Sequence, residues 1–173
     1  MKLLIVGAGG YGRLAKEIAE LTEQFEQIDF LDDTYEGVVG ELSDLKIVQK
    51  NYDGCVVVIG NPEVREKVFC EVDKAITLVH PKVEISRSAS IGNGYVIEAN
   101  IVIGTEAVVK DCSYICAGVG VNHNAMVSEF CQVNCNAAAM TGSVLPKGTK
   151  LNSCFVWSKP IVAKTDEAAD SLI

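Results

Sequence analysis

The chain is 173 residues long, 49% hydrophobic, and carries a formal net charge of −8 at pH 7. That acidity excludes a broad nucleic-acid or anionic-membrane surface, both of which need clustered Lys and Arg. No apolar run approaches the roughly 18–20 residues that span a bilayer, and the five-residue run in "MKLLIV" is shorter than the ~7–15 of a signal h-region, so a cytoplasmic protein is expected.

In chain order, "KLLIV" is a short apolar run that ends at "GAGGYG", which predicts a buried strand followed by a glycine turn. Leu14, Ile18 and Leu21 then follow helical spacing, and "QIDFLDD" and "CVVVIG" predict a second and a third strand. In "NPEVREKVFCEV", Asn61 is a helix N-cap and Pro62 the first helical residue, with Val64 and Val68 on one face. "AITLVHP" reads as a last short strand, and His80-Pro81 marks a junction, because the residue before proline is pushed to extended geometry. This β-α alternation predicts a small Rossmann-like parallel sheet over residues 1–80.

From Val83 onward the period is six. Ile85, Ile91, Ile97, Ile103, Val109, Ile115, Val121, Val127, Val133, Ala139, Leu145 and Leu151 are all aliphatic. The positions two residues earlier are mostly small or β-branched, with Tyr95 and Ile101 the larger exceptions. Both sets point inward by strand alternation, and the remaining residues bend the chain. Three hexapeptides make one triangular coil, so residues 81–157 predict about four coils of a parallel β-helix. The pattern resembles the hexapeptide repeat associated with the left-handed form. Residues 158–173 carry no repeat and form a tail.

The cysteines number seven, an odd count that argues against a disulfide framework. Cys112/Cys116 and Cys131/Cys135 have a C-x₃-C spacing, but Cys131 falls on an inward position and the others in bends, so no metal is expected.

Gly7, Gly9 and Gly12 form G-x-G-x-x-G between a strand and a helix. Such a turn, with Gly10 and Tyr11 inside it, aims backbone N–H groups at a phosphate on a helix N-terminus. Asp32 and Asp33 follow about twenty residues later and could hold a ribose hydroxyl. A half of this size lacks a second mononucleotide unit, so a single nucleotide diphosphate fits better than a whole dinucleotide. Gly60 and Asn61 close the third strand beside that site. Arg65, one turn into its helix, either meets a phosphate or is solvated. His123 lies two residues past the core position Val121, where the wall turns outward. Its imidazole can therefore accept a proton outside the prism, or serve as a polar turn residue.

The combination of "VGAGGYG", "FLDD", "IGNPEVREK", "LVHP" and hexapeptides containing "VNHNAMV" resembles the bacterial sialic acid O-acetyltransferase and nucleotide-sugar N-acetyltransferase family over residues 1 to about 157. The resemblance implies a homotrimer with acetyl-CoA in the groove between neighbouring β-helices and a sugar nucleotide on the N-terminal domain. It also implies His123 as general base, and an oxyanion held by a backbone N–H near Thr141 or Gly142. Where the family often has a carboxylate after the histidine, this chain has Asn124, an amide that can orient the ring by hydrogen bonding. Tyr11 replaces a histidine of the glycine loop, and Gln132 matches a second histidine found near the coenzyme. "FVWSKPIVAK" replaces the family's usual C-terminal ending. A non-catalytic trimeric binding or scaffold protein is the alternative, and a full NAD-dependent enzyme is disfavoured.

Overall fold

The structure is a computed structural model that describes residues 1–159; the tail expected over 158–173 lies almost wholly outside them. The first half is a three-stranded parallel sheet, β1 (Lys2–Val6), β2 (Gln27–Leu31) and β3 (Gly54–Val57), in the order β2-β1-β3. β1 is central, and Leu3 to Val6 are fully buried because a parallel strand covered on both faces must be apolar throughout. The helix α1 (Gly10–Leu21) follows the glycine turn and buries Ala15, Ile18 and Ala19 against the sheet. A short helix, α2 (Leu45–Val48), precedes β3, and α3 (Pro62–Phe69) follows it.

The second half is a three-sided prism of two-residue rungs. Face 1 stacks Leu78–Val79, Val96–Ile97, Tyr114–Ile115, Gln132–Val133 and Lys150–Leu151. Face 2 stacks Glu84–Ile85, Val102–Ile103, Gly120–Val121, Ala138–Ala139 and Val156–Trp157. Face 3 stacks Ser90–Ile91, Val108–Val109, Met126–Val127 and Val144–Leu145. All pairings in the prism are parallel and join residues eighteen apart, as in Val121 with Ile103 on one side and Ala139 on the other. The prism therefore makes about four turns. Its interior is one continuous cluster running from Ile97 and Tyr95 through Val121 and Val127 to Leu151.

"AITLVHP" departs from expectation. Ala75 at its start bridges Cys55 of the N-terminal sheet, but Leu78–Val79 pairs with Val96–Ile97 and is the first rung of face 1. The sixfold step simply extends backward from Ile85 to Val79, and forward from Leu151 to Trp157.

The corners explain the period. Positive φ recurs every six residues, at Gly94 (86°), Asn100 (59°), Glu106 (57°), Cys112 (54°), Gly118 (73°), Asn124 (59°), Phe130 (59°), Asn136 (58°), Gly142 (65°), Gly148 (72°) and Cys154 (60°). One left-handed residue per corner reverses the chain sharply enough to close a triangle. Such a conformation costs an ordinary L-residue roughly 1–2 kcal/mol, less for Asn and nothing for Gly. At the exposed corner residue Asn100, replacement by Val should destabilise the fold by about 1–2 kcal/mol, and replacement by Gly by under about 0.5 kcal/mol. Urea unfolding of both variants measures the difference.

Candidate active site

Most of the residues singled out by the sequence fall in two clusters, which lie on opposite sides of the prism. The first is the glycine turn. Gly7 has φ of 113°, and a Cβ there would stand 3.0 Å from the Val58 carbonyl oxygen. At Gly12 a Cβ would overlap the Gly7 carbonyl oxygen. These two glycines are demanded by folding itself. Gly9 and Gly10 are different: a Cβ on Gly10 meets nothing within 4 Å, and one on Gly9 only the Tyr35 hydroxyl at 3.8 Å. They leave open the space above the N-terminus of α1, whose first-turn N–H groups and dipole favour an anion.

Asp32 braces this turn. Its carboxylate accepts the Ala8 N–H at 2.7 Å and both the N–H (2.9 Å) and hydroxyl (2.8 Å) of Thr34. Burial alone would raise its pKa, but these donors outweigh burial and hold it below the ordinary carboxylate value. Asp33 accepts the Leu42 N–H at 2.7 Å and caps the next loop. Asn61 accepts from the N–H groups of Glu63 (2.9 Å) and Val64 (3.2 Å), the N-cap geometry of α3, with Gly60 just before it. Arg13 stands beside the turn, reaching the Ala8 carbonyl at 3.4 Å with its guanidinium 6.0 Å from the Tyr35 ring. It is a cation at the rim that the glycine motif did not signal.

Two expected ligand residues are instead committed to the junction between the halves. Arg65 is only 1% exposed. It donates to the carbonyls of Ile59 (3.0 Å), Gly60 (3.5 Å) and Phe130 (2.9 Å), and its guanidinium lies 4.3 Å from the Tyr114 ring centroid. It is neither solvated nor free to meet a phosphate, and α3 accordingly turns Val64 outward, 38% exposed. Tyr11 stacks on Tyr114 at 4.7 Å, with its hydroxyl 2.6 Å from the Cys116 sulfur. Its side chain faces face 1 of the prism. Burial raises the Tyr11 phenol and the Cys116 thiol, the latter to about 12, so both stay protonated. Burial likewise pushes Cys112 up to about 12 and Cys131 to about 11. These thiols are packing groups, and among the described residues no cluster of three His, Cys, Asp or Glu could hold a metal ion. Lys147 bridges to Glu66 of α3 at 2.6 Å and completes the junction.

The second cluster is the corner between faces 2 and 3, opposite face 1. His123 and Asn124 are exposed there. The Asn124 Oδ1 lies 3.0 Å from His123 Nδ1, and Asn124 Nδ2 donates to Glu106 Oε2 at 2.6 Å. A carboxylate only accepts, so it draws the NH₂ end of the amide and leaves the carbonyl oxygen for the ring. Nδ1 must then carry the proton, and Nε2 has a lone pair. The Thr141 hydroxyl, 3.1 Å from Nε2, donates to it. Glu106 was missed in the sequence, although its spacing of eighteen from Asn124 marks it as the next residue down the same corner.

Of the two expected oxyanion donors, Gly142 is unavailable, because its N–H already donates to the His123 carbonyl at 3.2 Å. The Thr141 N–H makes no hydrogen bond to a described residue. Gln132 lies on face 1, one rung above Tyr114, and donates to Asn134 at 2.8 Å, so in a single chain it does not meet His123.

Residues 2–72 match the PglD N-terminal domain family. A curated relative, the UDP-N-acetylbacillosamine N-acetyltransferase of Bacillus subtilis (strain 168), is 30% identical over 109 residues, covering 55% of this chain and 50% of that protein. The match thus spans only half the relative's length. The acetyltransferase domain of PglB from Neisseria gonorrhoeae FA1090 superposes with a TM-score of 0.75 at 25% identity, over 90% of this chain and 87% of that one. The same domain in complex with acetyl coenzyme A superposes at 0.70. PerB from Caulobacter crescentus, in complex with CoA and GDP-perosamine, shares the fold at a TM-score of 0.73 and 18% identity, over 92% and 90% of the two chains. A small parallel sheet followed by a three-sided β-helix is thus the architecture this chain shares with the PglB acetyltransferase domain. Among the described residues no helix is long and apolar enough to cross a membrane.

The junction makes a direct prediction. Arg65→Met should lower unfolding stability by about 2–4 kcal/mol, since a buried charged donor to three carbonyls is removed. Chemical denaturation reads this loss. A stability unchanged within about 0.5 kcal/mol, together with weakened nucleotide binding, would return Arg65 to the ligand site.

Proposed function

We propose that the protein is an acetyl-CoA-dependent acetyltransferase acting on the amino group of a nucleotide-linked sugar. The observation that carries the proposal is the exposed imidazole at the corner of faces 2 and 3, with Nδ1 against the Asn124 carbonyl oxygen and Nε2 against the Thr141 hydroxyl. The curated relative named for sugar N-acetylation and the acetyl-CoA-bound PglB domain support the reaction class.

In the proposed reaction the sugar amine displaces the Thr141 hydroxyl from Nε2 and gives up its proton there as its nitrogen attacks the thioester carbonyl. The C–N bond forms and the carbonyl oxygen becomes an oxyanion, which the Thr141 N–H is placed to receive. The tetrahedral centre collapses with cleavage of the C–S bond. The imidazolium returns its proton to the departing CoA thiolate, leaving the amide and free CoA. The imidazole begins and ends neutral.

The glycine turn and His123 lie on opposite sides of one chain, so a single copy does not bring a sugar held at the one to a base at the other. A homotrimer in the cytoplasm supplies the missing half by setting one copy's N-terminal domain beside the next copy's corner. The outward columns flanking His123 favour such an assembly. Val102 and Val156 on face 2 are 52% and 55% exposed, and Val108, Met126 and Val144 line face 3. Exposed apolar columns of this kind support an interface there. Seven unpaired cysteines fit a reducing compartment.

Incubation with acetyl-CoA and a panel of UDP-, GDP- and CMP-linked amino sugars, following released CoA thiol, should identify a turned-over acceptor. His123→Ala should lower that turnover about 10²-fold or more without changing assembly. Unchanged turnover in the variant would remove His123 from the chemistry. Sedimentation equilibrium should return three copies of the chain, and a monomer would leave the groove without its second wall. Gly9→Val should fold normally yet weaken binding of the sugar nucleotide by calorimetry. Equal affinity would put the nucleotide elsewhere.

A further inference from the structure

We infer that Glu106 is the charged positioning residue of this site, acting on the His123 ring through the Asn124 amide. The inference rests on the reading of His123 as base and adds the source of its orientation. Three observations converge. The Glu106–Asn124 hydrogen bond, 2.6 Å long, is of the short, charge-assisted kind. Both residues are left-handed corner positions, φ 57° and 59°, stacked one coil apart, so the backbone fixes their separation. The Glu106 N–H is itself anchored to the Ser88 hydroxyl at 3.1 Å, one coil further down.

The chemistry follows from donor and acceptor count. An isolated asparagine can present either end to an imidazole and so selects neither tautomer. With Glu106 taking the NH₂ group, only the carbonyl oxygen faces Nδ1, and the proton is held there. When Nε2 takes the substrate's proton, the imidazolium donates from Nδ1 to an amide oxygen polarised by the carboxylate behind it. No proton travels along the chain. The carboxylate orients the ring and offsets the positive charge that develops on it, as a directly bonded carboxylate would. The departure at Asn124 is thereby compensated within the same corner and does not signal a dead site.

His80 provides an internal control, because its Nδ1 accepts the Lys82 N–H at 3.0 Å and its proton must sit on Nε2. The two histidines of the chain therefore hold opposite tautomers. Nitrogen-15 spectra of the histidine-labelled protein, at a pH where both rings are neutral, should show one of each, with His80→Gln assigning the pair. Glu106→Gln should shift His123 toward a mixture of tautomers and leave His80 unchanged. It should also lower kcat about 10–100-fold, with KM for acetyl-CoA within about twofold, the size of effect typical of a partner behind a reacting group. The double variant Glu106→Gln with Asn124→Asp puts the carboxylate directly on Nδ1 and should recover most of the lost kcat. A His123 tautomer indifferent to Glu106→Gln would overturn the inference, as would a kcat loss that the double variant fails to recover. Full turnover in His123→Ala would instead strike the base reading, with the tautomer spectra still deciding the hydrogen-bond chain.

Discussion

One left-handed residue at every sixth position governs the rest of this molecule. It closes each triangle, sets eighteen residues per turn, and so places any residue directly above the one eighteen earlier at the ~4.8 Å spacing of paired strands. Corners thereby become columns. Thr105, His123 and Thr141 form one, and Glu106, Asn124 and Gly142 form the next. Residues remote in sequence are brought within hydrogen-bond reach by a rigid repeat rather than by loops. Such a scaffold tolerates little movement, because its interior is filled by side chains that are nearly all fully buried. An imidazole on a packed wall needs only neighbouring columns to orient it.

The junction between the halves follows a different physics. Arg65, buried beneath Tyr114 and donating to three carbonyls, satisfies backbone groups from both halves at once. Stacked Tyr11 and the Tyr11–Cys116 contact lock the glycine turn onto face 1. A buried guanidinium is costly to desolvate, and its Nε has no partner among the described residues. The compensation is a fixed angle between the turn and the prism, and hence between the proposed sugar site and the corner of a neighbouring copy.

How much of this was legible in the sequence depends on what each residue contacts. The repeat was readable from Ile85 to Leu151 because its code is local: one inward aliphatic residue per rung. The glycine turn was readable for the same reason, since Gly7 and Gly12 answer to neighbours a few residues away. Arg65 and Tyr11 were misread because their partners, Phe130, Tyr114 and Cys116, are contributed by the other half. In α3 Val68 packs inward as expected, while the guanidinium of Arg65 is buried and Val64 is left outward. The "AITLVHP" segment begins in the expected sheet, where Ala75 bridges Cys55, but its Leu78–Val79 strand belongs to the prism, because a two-residue rung carries no local mark of its partner. Glu106 was within reach of sequence reasoning, once the period of eighteen was applied to polar corner residues as well as to the core.

Asn124 itself shows two demands meeting in one side chain. The corner requires positive φ, which asparagine adopts more readily than any other residue except glycine. The imidazole requires a hydrogen-bond acceptor at Nδ1, which glycine cannot offer. A carboxylate there would supply both acceptor and charge, whereas the amide supplies the acceptor and passes the need for charge to a second residue. The same repeat provides that residue, since the position eighteen earlier lies directly beneath and Glu106 already holds the left-handed corner. On the proposed reading of His123 as base, an asparagine that looks like the loss of a carboxylate is better understood as that carboxylate's displacement by one coil. The prism's regularity is what makes that displacement geometrically harmless.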